Sequence, residues 1–402
     1  MKAIHYCFVL FFFSYSSSNW AQSLHQFNIY HDSDYSNHFE SANSIKMGFM
    51  SALESEKNRL KNFEFKFLEM DHRGNSNRSL LNLKKFLKDP NALFVLGGLH
   101  SPPYIKNRLF INKEQILLLV PWAAGGPITR YEQGKNWVFR LSVDDTKAGY
   151  RIIQFAKEIR SCKQPHLLLE NTPWGKSNEE TMQDALGKKK AEVTWFNWNT
   201  KLKKSKLILR GIINSGADCI VFVGNAIEGK YFIQAMAEID EILQKPIISH
   251  WGITGGNFFN NTKQYLKDGI ELNFIQSCFS FDVVPRSDSV KKAINSANRL
   301  FKSDFDVETL QAPAGFVHGY DLGLLFVQAM TQIEVQENIA STRESLRNAL
   351  ESLNSMVEGL IKVYSRPFSS KGEDSHEALG LEDLCMAKYK DNGTISIIKN
   401  KG

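Results

Sequence analysis

The sequence predicts an α/β protein made of two doubly wound lobes, each built on a parallel sheet. Short apolar runs alternate with amphipathic segments of helical period from residue 25 onward, and this alternation restarts near residue 137. Strands separated by helices form βαβ units, whose sheets are parallel. At 402 residues the chain is also too long for one ordinary core. Two such runs therefore predict two lobes.

The first run has four strands and three helices. The expected strands are "HQFNIYH", "FEFKFLEM", "ALFVLGG" and "ILLLVP", and the expected helices are residues 38–58, "LLNLKKFL" and residues 101–113. "FEFKFLEM" alternates apolar and charged residues, which predicts a strand with one solvated face. Sites in such folds lie at the carboxyl ends of the strands.

The second run begins at "WVFRLSV". Helices are expected at 146–160, 176–187, 201–214 and 229–242, alternating with the strands "HLLLE", "EVTWFNW", "CIVFVG" and "PIISH". A long strand, "NFIQSCFSFDV", precedes helices at 287–302, 314–334 and 341–352, and the tail from Val357 is β-like. No low-complexity linker separates the runs, which favours lobes joined by several crossings of the chain.

The amino terminus, "MKAIHYCFVLFFFSYSSSNWAQS", has the order of a secretory signal peptide: a charge, an apolar run and small polar residues. We predict cleavage after Ala21, with Ser18 as the alternative, and a periplasmic mature protein. No later segment is long enough to span a membrane. Four cysteines remain after cleavage, and an oxidising compartment permits disulfides in three full pairings; isolated thiols are the other possibility.

Composition and motifs argue against nucleic-acid binding and catalysis. The formal charge of +6 is modest for this length, and the densest lysine cluster, residues 201–206, is typical of a solvated helix face. No phosphate-binding glycine motif, nucleophile elbow or zinc-protease motif occurs. Ten histidines show no metal-ligand spacing. We therefore expect a protein that is not an enzyme and has no cofactor or metal.

Two loops at strand ends suit a small anionic ligand. Ser101 opens a helix directly after "GGLH", where a hydroxyl and free backbone N–H groups can bind a carboxylate. The loop "PWAAGG" adds further backbone amides beside it. The alternative is that Ser101 only caps the helix.

Six segments, in order, resemble the leucine/isoleucine/valine-binding family of type I periplasmic binding proteins, the receptors of ABC importers. They are "SANSIKMGFMSALE", "VLGGLHSPPY", "ILLLVPWAAGGPIT", "WVFRLSVDDTKAG", "ENTPWGKSNEETM" and "ADCIVFVGNAIEGKYFIQAM". The resemblance implies two lobes joined by a three-strand hinge, with crossings near Arg140, Ser277 and Lys362. Lobe 1 would comprise residues 22–140 and 277–355, and lobe 2 residues 141–276 and 356–402.

The resemblance also implies a ligand-binding site between the lobes. Ser101 would grip a carboxylate with help from the backbone of Trp122 and Ala124. His100 is a further candidate because it lies near the end of a strand. Trp174 would provide an aromatic shelf and Phe39 an aromatic near the first helix. Asn225 would line the opposite side of the cleft.

Trp251 stands where the family's amino-acid receptors carry an acid that neutralises the ligand's ammonium. An unpaired buried charge costs several kcal/mol, so this departure questions amino-acid specificity. Together with Trp122 and Trp174, it predicts a ligand with a carboxylate or amide end and an apolar or aromatic body. A cation over the rings is an alternative.

The expected partners are a small-molecule ligand and the membrane permease of an ABC importer, with the receptor itself a monomer that does not span the membrane. An alternative with the same fold is a periplasmic sensory protein coupled to a membrane signalling receptor. A secreted hydrolase would need catalytic groups that the loops lack.

Overall fold

The structure is a computed structural model that describes residues 24–398, so the predicted signal peptide lies outside the described part. Its strands are β1 (His25–Ser33), β2 (Phe63–Asp71), β3 (Ala92–Gly97), β4 (Leu118–Val120), β5 (Val138–Arg140), β6 (Pro165–Glu170), β7 (Glu192–Phe196), β8 (Cys219–Val223), β9 (Ile247–Ser249), β10 (Leu272–Ser277), β11 (Val357–Glu358), β12 (Val363–Tyr364), β13 (Leu384–Tyr389) and β14 (Ile395–Ile397). The helices are α1 (Phe39–Ser55), α2 (Ser76–Phe86), α3 (Ser101–Lys113), α4 (Asp145–Glu158), α5 (Pro173–Leu186), α6 (Leu202–Asn214), α7 (Ala226–Ala237), α8 (Phe258–Lys267), α9 (Asp288–Phe301), α10 (Pro313–Met330) and α11 (Ile339–Glu351). Among residues 24–398, no helix is long and apolar enough to cross a bilayer.

The first sheet has the order β2-β1-β3-β4-β5, and every neighbouring pair is parallel. Strand β3 is buried along its whole length, as a continuous apolar run in a central parallel strand should be. One face packs against α2 and α3 through residues such as Phe86 and Tyr104. The other packs against α1 and α10 through residues such as Phe49 and Phe326. Helices cover both faces, as predicted.

The second sheet has the order β14-β13-β10-β9-β8-β6-β7. Its five strands from β6 to β10 pair in parallel, and β13 and β14 add an antiparallel edge. Helices α6, α7 and α8 pack on one face through residues such as Leu209, Phe232 and Phe258. The opposite face packs against α4 and α5 through residues such as Ile152 and Met182.

Three elements differ from the prediction. The strand expected to run through "NFIQSCFSFDV" ends at Ser277, because the next N–H groups turn away: Cys278 donates to the carbonyl of Asp383 and Phe279 to that of Ser277. Helix α8 was not predicted, since its asparagine-rich segment has weak helix propensity and only Phe258 and Thr262 are buried. The helix expected at 229–242 is α7, which begins at Ala226 and ends at Ala237.

Helices α1 and α10 are in backbone contact. A Cβ on Gly48 would overlap the carbonyl of Phe316, and a Cβ on Gly319 would lie 2.5 Å from the carbonyl oxygen of Ile45. Only glycine allows this approach. Ser44 Oγ on α1 also donates to the carbonyl of Ala312, which directly precedes α10. The contact thus joins two segments that lie some 270 residues apart in sequence.

The chain passes between the sheets near Arg140 and Ser277, where β5 and β10 end. The third passage lies beside β5. The N–H of Arg140 donates to the carbonyl of His376, and the N–H of Ala378 donates to that of Arg140, both at 2.9 Å. Residues 357–364, in contrast, are fastened to α10, since Asp321 accepts hydrogen bonds from two of their N–H groups and from the hydroxyl of Tyr364.

All four cysteines of the described part are in disulfides. Cys162 pairs with Cys219, which joins the turn before β6 to the start of β8. Cys278 pairs with Cys385, which joins the end of β10 to β13. The sequence left open three full pairings or isolated thiols, and the structure has one of the three full pairings.

Candidate ligand-binding cleft

A small cavity of about 10 Å³ lies between loops from both sheets. It is much smaller than the usual range for small-molecule sites, roughly 300–1,000 Å³, so the loops must move apart to admit a solute. The loops that form it follow β3 and β4 of the first sheet and β6, β8 and β9 of the second. The lining residues are Leu99, His100, Ser101, Pro102, Trp122, Ala124, Glu170, Trp174, Asn225, Trp251 and Gly252.

Seven of the eight residues singled out from the sequence line this cavity. They are His100, Ser101, Trp122, Ala124, Trp174, Asn225 and Trp251. The eighth, Phe39, is not among the lining residues: it begins α1, is 51% exposed and faces Tyr35 at a ring-centroid distance of 6.4 Å.

Ser101 is the first residue of α3 and does not cap it. Its Oγ accepts the N–H of Gly125 at 2.9 Å, so the hydroxyl joins the two loops of the first sheet and keeps its own hydrogen to donate. Pro102 and Pro103 follow, and neither has an N–H. The N-terminus of α3 therefore has fewer backbone N–H donors for a ligand than the sequence predicts. A carboxylate at this end would depend more on the hydroxyl of Ser101.

Trp122 carries a buried donor without a partner. Within residues 24–398 its Nε1 makes no hydrogen bond, although the side chain is 1% exposed and lines the cavity. A buried unpaired N–H costs about 1–3 kcal/mol, so this donor is suited to an acceptor on a ligand. The carbonyl of Trp122 is engaged elsewhere, by the hydroxyl of Ser142 at 2.6 Å.

Trp174 is held by groups behind the cavity. Its Nε1 donates to Asp145 Oδ1 at 3.3 Å, and its ring meets the edge of His250 at a centroid distance of 5.1 Å. His250 Nε2 lies 2.9 Å from the same carboxylate oxygen. Burial raises the pKa of Asp145. These contacts fix the Trp174 ring as one wall of the cavity.

Gly252 lets the loops of the second sheet meet. A Cβ there would lie 2.8 Å from the carbonyl oxygen of Gly224, 2.9 Å from Asn225 Oδ1 and 3.0 Å from Trp174 Cη2. Any larger residue would push these walls apart. The sequence pattern "SHWGITGG" thus places a tryptophan and a close-contact glycine side by side.

Glu170 is an acid of the cavity that the sequence analysis missed. It ends β6, is 1% exposed and accepts a hydrogen bond from Asn225 Nδ2 at 3.2 Å. Burial raises the pKa of Glu170 to about 7. The available signal was a carboxylate at the end of the apolar run "HLLLE", since that end of a parallel strand faces the site.

No protein-family model matches the sequence, and a search of curated proteins finds no match. Solved structures do resemble the fold. A type I periplasmic binding protein from Bordetella pertussis Tohama I is 15% identical, with a TM-score of 0.74 over 94% of this chain and 99% of that one.

Several similar structures contain ligands, and two of them show the range of ligand classes. The branched-chain amino acid transporter substrate-binding protein LivJ from Streptococcus pneumoniae, in complex with isoleucine, is 16% identical, with a TM-score of 0.73 over 93% of this chain and 99% of that one. An ABC-transporter solute-binding protein from R. palustris, in complex with 4-hydroxybenzoate, is 14% identical, with a TM-score of 0.73 over 93% of this chain and 96% of that one. One ligand is an amino acid and the other an aromatic acid.

Proposed function

We propose that this chain, which has the fold of type I periplasmic binding proteins, is an extracytoplasmic receptor that captures a small carboxylate- or amide-bearing solute for an ABC importer. The observation that carries the proposal is the cavity formed by loops of both sheets, one of whose lining residues, Trp122, has a buried N–H without a partner within residues 24–398. A receptor needs enclosure and complementary polar groups, and no nucleophile or base.

The polar groups of the cavity divide by sheet. Ser101 and Trp122, on the first sheet, supply donors for a carboxylate or amide oxygen. Glu170, on the second sheet, supplies an acceptor for an ammonium or an amide N–H. Trp174 and Trp251 supply apolar faces. The arrangement favours a solute with an acceptor at one end and an apolar body, and Glu170 restores amino acids to the candidates.

The proposal includes export, cleavage of the signal peptide near Ala21 or Ser18, and a monomeric receptor whose lobes close on the solute. The contacts of Asp321 with residues 357–364 favour placing that segment with the first lobe. We therefore divide the chain into residues 24–140 with 278–376, and 141–277 with 377–398. This division replaces the predicted crossing at Lys362 with one near His376.

A solute panel tests the proposal. The mature protein would be screened by thermal shift against branched-chain amino acids, benzoates, amides and short peptides. A solute at 100 times its Kd stabilises by about 2.7 kcal/mol, which is readily measured. Trp137→Phe, at a buried tryptophan that does not line the cavity, is the control and should show the same shifts. If no compound of these classes shifts the melting temperature, the proposal is wrong.

A periplasmic sensory protein remains the second candidate, because it uses the same cleft. Reconstitution separates the two functions. A receptor for import should stimulate ATP hydrolysis by its permease complex in the presence of solute. A sensory protein should instead bind the extracytoplasmic domain of a signalling receptor.

A further inference from the structure

Three histidines and an aspartate gather at one end of the first sheet. We call Asp34, His38, His72 and His100 the histidine cluster. Asp34 follows β1, His72 follows β2 and His100 follows β3, while His38 directly precedes α1. All four are at most 8% exposed. The spacing of these residues in the sequence did not predict the cluster. They lie in separate loops, which meet only because β1, β2 and β3 are neighbours in the sheet.

Three members have the geometry of a metal site. One ligand atom each from Asp34, His38 and His100 lies within 4.8 Å of the other two, and Asp34 Oδ2 is 3.2 Å from His100 Nε2. Around a tetrahedral ion with bonds of about 2.0–2.1 Å, ligand atoms are roughly 3.3 Å apart. The rings of His38 and His100 are nearly perpendicular, with centroids 4.7 Å apart.

We propose that Asp34, His38 and His100 bind one divalent transition-metal ion of the zinc class beside the solute cleft. Two imidazoles and one carboxylate form a donor set that suits zinc, nickel or copper. Calcium and magnesium prefer sites with oxygen ligands only. Three protein ligands leave a fourth position for water or for an oxygen of the solute.

Groups around the cluster orient the ligands. Asp34 Oδ1 accepts the N–H of Asn37 at 2.9 Å and its Nδ2 at 3.1 Å. Oδ2 lies 3.2 Å both from Asn37 Nδ2 and from His100 Nε2. Such contacts hold metal-binding carboxylates in place.

His72 has a different role. Its Nδ1 accepts the N–H of Gly74 at 2.9 Å, so Nε2 carries the hydrogen of the neutral ring. That Nε2 is buried and makes no hydrogen bond within residues 24–398. With its ring centroid 6.0 Å from that of His100, His72 suits donation to a water or anion on the ion.

Trp198 covers the cluster from the second sheet. It lies between β7 and α6, and its ring centroid is 5.5 Å from that of His100. A Cβ on Gly74 would lie 2.8 Å from Trp198 Cη2, so the indole rests directly on the backbone there. His100 also lines the solute cavity. A bound ion would therefore sit where the two sheets meet, next to the solute.

Calorimetric titration of the mature, tag-free protein with zinc chloride tests the inference, with no solute present. We expect one Zn²⁺ per chain and a higher melting temperature with zinc, reversed by EDTA. His38→Gln and His100→Gln should each weaken zinc binding by at least about 100-fold, because even groups outside the coordination shell contribute 10–100-fold. His25→Gln, on β1 outside the cluster, is the matched control and should bind zinc like the wild type.

Trp198 gives a second readout, since Cu²⁺ or Ni²⁺ at the cluster should quench its fluorescence and Trp198→Phe should remove that part of the quenching. The wild-type titration decides even if a variant fails to fold. Absence of stoichiometric zinc binding would overturn the inference, as would wild-type zinc affinity in both histidine variants or a preference for Ca²⁺ or Mg²⁺. None of these outcomes depends on whether the solute panel succeeds.

Discussion

The indole rings of Trp122 and Trp251 meet across the cleft, with centroids 5.5 Å apart and planes inclined by 47°. Trp122 follows β4 of the first sheet and Trp251 follows β9 of the second. Trp251 also packs against His318 of α10, at a centroid distance of 4.8 Å. The pair is thus a direct apolar contact between the sheets, and a solute that enters must rearrange it.

Replacement of Trp251 should change solute preference. We expect Trp251→Ala to weaken binding of an aromatic or apolar acid by roughly 10–100-fold, because large aromatics in enclosed sites dominate binding energy. Trp251→Glu should move preference toward free α-amino acids. Calorimetry with an aromatic acid and with isoleucine measures both. If the wild type binds leucine or valine tightly and Trp251→Ala leaves that affinity unchanged, Trp251 does not contact the solute.

Ser101→Ala should lower both affinity and stability. Loss of the hydroxyl removes a donor to the solute and leaves the Gly125 N–H without its acceptor, each at about 1–3 kcal/mol. Titration and a melting curve separate the two effects. Ser44→Ala, which removes a buried bond between α1 and Ala312, is the control and should lower stability alone. If Ser101→Ala leaves the solute affinity unchanged, Ser101 does not contact the solute and only joins the two loops.

Glu170 should make stability depend on pH. The pKa of Glu170 is raised by burial to about 7, from an ordinary value of 4.5. Between these values the folded protein holds a proton that the unfolded chain releases, so stability falls as pH rises from 4.5 to 7. Asp321, whose pKa burial raises to about 6, acts in the same direction. Urea unfolding at pH 5, 6, 7 and 8 should show a shallower decline for Glu170→Gln, and an unchanged one for the exposed Glu132→Gln.

The same carboxyl should distinguish solute classes. An ammonium near Glu170 favours its ionised form, so an amino acid should bind more tightly as pH rises toward 7, by up to about tenfold per pH unit. A solute with only a carboxylate should show the opposite trend. His100 and Glu228 lie close enough to Glu170 to influence its pKa, so each solute is compared in wild type and Glu170→Gln. Identical pH profiles in the two proteins would exclude Glu170 from the site.

Removal of either disulfide should cost about 2–5 kcal/mol, because the pairs are 57 and 107 residues apart in sequence and each restricts the unfolded chain. The double variants Cys162→Ser/Cys219→Ser and Cys278→Ser/Cys385→Ser test each bond by urea unfolding. Dithiothreitol should lower the melting temperature of the wild type and leave a variant that lacks both bonds unaffected. Equal stability of the oxidised and reduced wild type would contradict the pairing.

Solute binding should make the protein more compact in small-angle scattering. Three passages between sheets, without a flexible linker, favour rigid-body closure. The comparison is between free and solute-saturated protein. Identical profiles would argue against a hinge.

The two parallel sheets and most of their elements were predictable, and the predicted fold class is confirmed. Periodicity sufficed because buried strands such as β3 are continuous apolar runs, and because helices between them show one apolar face. Helix α8 was not predicted because its apolar side is sparse: Phe258 and Thr262 are buried, and Tyr265 and Leu266 are only partly buried. The antiparallel pair β13 and β14 was expected only as a β-like tail, since nothing local in a strand specifies its partner.

For the cleft, the position of loops at strand ends was enough to select seven residues that line one cavity, and their contact with a solute stays a prediction. Contacts between residues far apart in sequence could not be predicted. Glu170 and the histidine cluster were missed because their significance comes from neighbours in other loops. Phe39 was placed near the cleft by resemblance, yet the turn before α1 leaves it exposed. Ser101 was expected to cap a helix or to bind an anion. Its hydrogen bond with the N–H of Gly125 was not predicted, because it forms only when the two loops pack together.

The backbone contact between α1 and α10 has a consequence for biogenesis. The face of the first sheet that α10 covers cannot be completed until residues near 330 have left the ribosome, so the early part of the chain stays without its full core during most of synthesis. The export that we propose would benefit from such a delay, because early compaction would block passage through a narrow secretion channel. The close contact that Gly48 and Gly319 allow thus makes completion of the first core depend on residues that are synthesised late.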